Sequence, residues 1–165
     1  LYTWVDEHPQ YFNQKSKFML YTILKHAHSG LRWMVLLVLL AAVANAFLKW
    51  RNGASMGQSD RRLNLFALVA LHLQFVLGLL LYFISERVVF SAESMKVAVN
   101  RFFLVEHPSL MILAVLLVTV GYSRAKRAAS DVVAFRRAFW FFLVGLALIL
   151  LGIPWPMQGY GTGWF

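Results

Sequence analysis

Residues 63–84 read LNLFALVALHLQFVLGLLLYFI, 22 residues without one Asp, Glu, Lys or Arg. A helix rising about 1.5 Å per residue needs roughly 20 residues to cross the hydrocarbon of a bilayer. The stretch is therefore long enough to span a membrane. A spanning strand would alternate polar and apolar residues, and this one does not. One ionisable side chain, His72, sits near its middle.

Three more runs of this kind flank it, over residues 29–48, 103–122 and 138–155. The chain has 165 residues, 60% hydrophobic and 14% charged, with a mean hydropathy of +0.63. A soluble domain is nearer half apolar and a quarter charged. The expected fold is an all-α, four-helix transmembrane bundle. Short connections favour an up-down antiparallel arrangement. The expected organisation is an extramembrane N-terminal segment over residues 1–27, a membrane domain over 28–156, and a flexible Gly/aromatic tail over 157–165. Residues 1–18 mix aromatics with charges and suit docking on a partner or on the membrane surface. Pro154 and Pro156 end the fourth helix. No cleavable signal pattern precedes the first run. The chain begins at Leu1, and Met19 is a candidate initiator.

The formal charge is +9, from 16 Lys and Arg against 7 Asp and Glu. In a soluble protein this would suggest nucleic acid. Here the bases gather beside the apolar runs, so topology and anionic lipid account for them and no nucleic-acid partner is expected. Lys49, Arg51, Arg61 and Arg62 follow the first run, and Arg124, Lys126, Arg127, Arg136 and Arg137 follow the third. Against these nine stand Asp60 and Asp131. The positive-inside rule then puts both loops in the cytoplasm and both termini on the outer, periplasmic side of a bacterial inner membrane. Trp33, Tyr82, Phe102, Phe103, Trp155 and Trp164 fall near the outer ends of the runs, and Trp50, Tyr122 and Trp140 near the inner ends, as interfacial aromatics do.

Several chemistries are excluded. With no cysteine, there is no disulfide, zinc–thiolate site, iron–sulfur cluster or c-type haem attachment. No Gly-rich phosphate loop, H-E-x-x-H or G-x-S-x-G is present. Glu106 is the one carboxylate within the runs, too few for an acid-lined ion path. No catalytic residue is expected.

An ionisable side chain at membrane depth is costly and usually has a partner or a task. His28 opens the first helix and His107 lies near the start of the third, at similar depth. Arg32 is one turn from His28 on the same face, and Glu106 adjoins His107. One reading makes this a haem b site, with His28 and His107 as axial iron ligands and Arg32 on a propionate. The other makes it an Arg32–Glu106 ion pair beside interfacial histidines. His72 lies about ten residues from one end of its helix, roughly 15 Å deep, and one iron does not easily take both His72 and His107. It suits a second cofactor, a quinone, or a hydrogen bond to Asn45 or Thr119. Gln74 points elsewhere than His72. Met111, one turn after His107, is an axial ligand or packing. Ala41, Ala42, Ala44, Ala46 and Gly78 allow close helix approach.

The motifs His26-Ala27-His28-Ser29-Gly30-Leu31-Arg32-Trp33, His72-Leu73-Gln74-Phe75-Val76-Leu77-Gly78, Glu106-His107-Pro108-Ser109-Leu110-Met111 and Gly121-Tyr122-Ser123-Arg124 follow one another at spacings that resemble small four-helix membrane proteins of Bacteroidetes-type bacteria labelled "cytochrome B". The resemblance covers roughly residues 19–156. It implies a b-type haem and electron transfer, with His28, His72 and His107 as the motif histidines and Arg32 and Glu106 beside two of them. The expected function is a cytochrome b-like electron-transfer component of a respiratory or other redox complex. The alternative is a cofactor-free accessory subunit packed against a larger membrane complex. Expected partners are membrane lipids and a larger complex or further copies of the chain. A third reading ligates a pigment through the lone, deep His72.

Overall fold

Four helices long and apolar enough to cross a membrane make up a computed structural model that describes residues 9–164, with side chains from residue 14. Among the described residues there is no strand. Helix α1 runs Pro9–Arg51, α2 Gln58–Ile84, α3 Ala98–Lys126 and α4 Asp131–Gly152. A 3-10 turn at Ala92–Met95 precedes α3 and another at Pro156–Gln158 follows α4.

The helices exceed the apolar runs. α1 passes unbroken through residues 27 and 28, where a boundary between an N-terminal segment and the membrane domain was expected. Its 43 residues extend about 64 Å, roughly twice the hydrocarbon thickness. Of the N-terminal segment, residues 1–8 lie outside the described residues. α4 starts seven residues before its run because Ser130 caps it, accepting from the Val133 amide, and Trp155 falls beyond its end.

The core is small and close-packed. Val35, Leu39, Ala42 and Val43 of α1 meet Ala67, Ala70 and Leu71 of α2, Ala114 and Val118 of α3, and Phe142, Leu146 and Ile149 of α4. Of the small residues in α1, Ala42 and Ala46 are buried, whereas Ala41 and Ala44 face outward. The outer surface is apolar: Leu37, Phe83 and Leu151 are each about 70% exposed. A soluble protein rarely presents so continuous an apolar exterior, whereas lipid covers it at no cost.

Contacts fix the two ends of the bundle. At one, the Met56 amide donates to Asp131, which joins the loop after α1 to the start of α4, and Trp50 meets Phe139 and Trp140. There Asp60, 3% exposed, accepts from Lys49 at 2.7 Å, Asn45 at 2.9 Å and its own helix's Gly57 amide at 2.9 Å. At the other end, Trp33, Trp155 and Trp164 cluster.

The tail is not a loose extension. Arg87 donates to Tyr160 O at 2.7 Å and to Gly161 O at 2.9 Å. Thr162 donates to Pro154 O, Arg32 to Trp164 O at 2.6 Å, and Tyr160 stacks on Phe102 at 4.4 Å. Phe165 lies outside the described residues.

One irregularity shapes α3. Residues Phe102–Glu106 form a π turn, in which the His107 amide donates to Phe102 O five residues back. Pro108 supplies the cause: it has no N–H to give the Leu104 carbonyl four residues before it. Tyr82 of α2 donates to that freed carbonyl at 3.1 Å. A turn widened by one residue accommodates the proline, and a neighbouring helix satisfies the orphan oxygen.

Candidate functional site

The tryptophan-rich end of the bundle holds a cavity of about 510 Å³, within the usual size of a small-molecule site. His28, Arg32, Gln74, Gly78, Arg87 and His107 line it. Residues of all four helices, the loop after α2 and the tail contribute to its wall.

The imidazoles of His28 and His107 are neighbours on its wall, with ring centres 6.4 Å apart and planes nearly perpendicular, at 79°. The His107 Nδ1 donates to Gly152 O at 2.7 Å. A carbonyl can only accept, so the proton is on Nδ1 and Nε2 carries the lone pair. This is the outer hydrogen bond that commonly orients a metal-ligating histidine. Gly152 permits it: a Cβ there would come 2.5 Å from Met111 Cε and 3.2 Å from Leu110 Cβ. The glycine lets the end of α4 approach α3 closely enough for its carbonyl to reach the ring. Met111 lines the cavity, and its methyl end faces Gly152.

His28 is held from α2. Gln74 donates to the His28 carbonyl at 2.9 Å, and its amide nitrogen lies 3.4 Å from His28 Nε2. Nδ1 of His28 is buried without a hydrogen-bond partner, as are Arg32 Nε and Gln74 Oε1. A Cβ on Gly78 would lie 2.9 Å from His28 Cε1, so the ring occupies space that only glycine leaves. Gly78 therefore does more than admit a neighbouring helix; it seats an imidazole.

Of the other expected residues, Arg32 lines the cavity, whereas Glu106 and His72 lie outside it. Glu106 pairs with Arg101 at 2.7 Å, one π turn away, and Arg32 bonds to the tail. The expected Arg32–Glu106 pair does not form, because the π turn carries Glu106 toward Arg101. His72 is outside the cavity, in a shallow groove with Leu68, Val69, Leu73 and Val76. Its Nδ1 donates to Leu68 O at 2.8 Å and its Nε2 lies 3.5 Å from the Thr119 hydroxyl, which itself donates to Val115 O. Asn45 bonds to Asp60 instead of His72.

The site fits a haem in three respects. The ring-centre separation of 6.4 Å is one at which two imidazoles could share a metal at about 2 Å per bond. Each polar atom left buried without a partner is a vacant interaction. The donor set is two imidazoles, with the Met111 thioether on the same cavity wall, and no cluster of three or more His, Cys, Asp or Glu exists among the described residues. Comparison with family models, with curated proteins and with solved structures finds no match to this chain.

Proposed function

We propose that the chain is a cytochrome b-like electron-transfer component of a redox complex in a bacterial inner membrane, holding haem b between His28 and His107. The observation that carries the reading is the pair of imidazoles with ring centres 6.4 Å apart in a cavity, one of them oriented by Gly152 O. The helices would run up-down and antiparallel with both termini outside. That topology is supported by the proximity of His28 to Gln74 and of Lys49 to Asp60, and by the basic loops of the Asp60 end.

A haem iron at this position supplies a one-electron carrier. The chain's own residues hold and insulate it. His107 presents Nε2, Gly78 and Gln74 position His28, Arg32 offers Nε toward an acidic substituent, and Val35, Leu71 and Ile149 exclude water.

A visible spectrum of the purified protein tests this. A Soret band that shifts on dithionite reduction, and is lost in His28→Ala and in His107→Ala, is the expected result. A colourless protein that co-purifies stoichiometrically with a complex would sink it. That outcome would favour the accessory-subunit reading, for which one observation speaks. On the N-terminal part of α1, Phe18, Met19, Leu20 and Ile23 are all more than half exposed, a surface suited to a protein partner.

A further inference from the structure

The charge lining the cavity is one-sided. Lys25, Arg32 and Arg87 all border it. No carboxylate among the described residues does. The acids are engaged or placed elsewhere: Asp60 with Lys49, Glu93 with Lys96, and Glu106 with Arg101, Asp131 with the Met56 amide, and Glu86 away from the lining. Arg32 and Arg87 spend donors on backbone carbonyls of the tail. Carbonyls are dipoles, and they leave both net charges standing. A guanidinium has five N–H donors, and the Nε of Arg32 is buried with none of its capacity used. Each guanidinium also lies over a ring, Arg32 over Trp33 at 5.2 Å and Arg87 over Phe103 at 5.5 Å. These contacts ease but do not neutralise a cation beside an apolar cavity, and a bound anion relieves the remaining cost.

We propose that Arg87, with Arg32 and Lys25, binds the acidic groups of the ligand that fills this cavity. The ligand class is an amphiphile: an apolar body between the helices, with at least two acidic oxygens or one multiply charged group at the mouth. This rests on the reading given under Proposed function for the body, a haem whose two propionates supply the acid. Arg87 lies in the loop after α2, so the acid-binding residues come from two separate elements, and the tail carbonyls occupy the same guanidinium groups. Anionic phospholipid offers the same chemistry.

The test compares haem with its dimethyl ester, whose propionates carry no charge. Each is titrated into apoprotein in neutral detergent and followed by absorbance. The expected result is that the parent protein binds haem at least about ten-fold more tightly than the ester, the size of a charge-assisted hydrogen bond. Arg87→Gln should lose most of that preference with ester affinity unchanged, and Arg87→Lys should keep part of it. Equal affinity of the parent for both haems overturns the proposal while leaving the haem reading intact. So does an Arg87→Gln variant that weakens both equally, since that marks a role confined to holding the tail. If neither haem binds, the haem reading falls, and native mass spectrometry decides the anion site. Retention of phosphatidylglycerol over phosphatidylcholine, lost in Arg87→Gln, supports it; no discrimination between the two lipids overturns it.

Discussion

His107 of α3 and Gly152 at the end of α4 are joined by one hydrogen bond, Nδ1 to carbonyl oxygen, at 2.7 Å. The bond does two things. It ties the ends of two helices and it fixes which nitrogen of the ring faces the cavity. His107→Ala should remove the haem spectrum and also lower stability by about 1 kcal/mol, the worth of a neutral hydrogen bond. His28→Ala should remove the spectrum and leave the tie between α3 and α4 in place. Parallel absorbance and detergent-melting measurements on the two variants separate these effects. Equal stability of both variants would show that the bond contributes no net cohesion.

Gly78 offers a sharper probe of the site, because it bears no functional group. A methyl at this position would lie 2.9 Å from His28 Cε1, inside van der Waals contact, and the ring must swing away. Gly78→Ala should reduce the haem-to-protein ratio at least several-fold. In an exposed helix interior the same change favours folding slightly, so lost haem in a protein that melts near the parent temperature points to the displaced ring. Full haem content in this variant would contradict the seating of His28 against Gly78.

His72 should behave oppositely. Its ring bonds within its own helix and lies outside the cavity. His72→Phe is expected to leave the haem-to-protein ratio and the reduced spectrum unchanged. A ratio that falls by half would establish a second haem at His72.

Asp60 anchors the opposite end. Removing one partner of a buried ion pair leaves the other uncompensated. Lys49 is one-third exposed, so the effect falls at the low end for such pairs, about 3 kcal/mol. Asp60→Ala should lower the denaturation midpoint in detergent, and the Lys49→Met, Asp60→Leu double variant should recover only part of the loss, because Asn45 and the Gly57 amide still lack their acceptor. The spectrum of whatever remains folded should match the parent, because the pair is at the far end of the bundle from the imidazoles.

Some of this was legible in the residues alone. Length and apolarity of the four runs gave the four helices, because crossing a bilayer constrains both together. The depth estimate separated His72 from His28 and His107, since rise along a helix is nearly constant. Partner choice was less accessible. Arg32 and Glu106 are near in a straight-helix reading, yet the π turn and the returning tail reassign both. Gln74 and Gly78 carried a signal that could have been used. They lie four residues apart on one face of α2, as His28 and Arg32 do on α1, and two such faces of polar and small residues suit each other. Arg87 gave no such signal, because a loop residue has no periodicity to read.

The π turn at Phe102–Glu106 also divides α3 into two phases. Upstream and downstream residues obey the helical repeat, but not with a common origin, so one wheel drawn over Ala98–Lys126 misassigns a face on one side of the break. The chain has no native cysteine, and a cysteine walk along α3 would make the offset visible. Labelling protection should oscillate with the helical period after His107, skip by one position across residues 102–106, and resume out of step before Phe102. A single inserted residue has in effect been stored in the helix, so deleting one residue there should turn the five-residue bond from His107 to Phe102 into an ordinary α bond and give α3 one phase throughout. Arg101 and Glu106 would then stand four apart on one helix face, a spacing at which their ion pair persists.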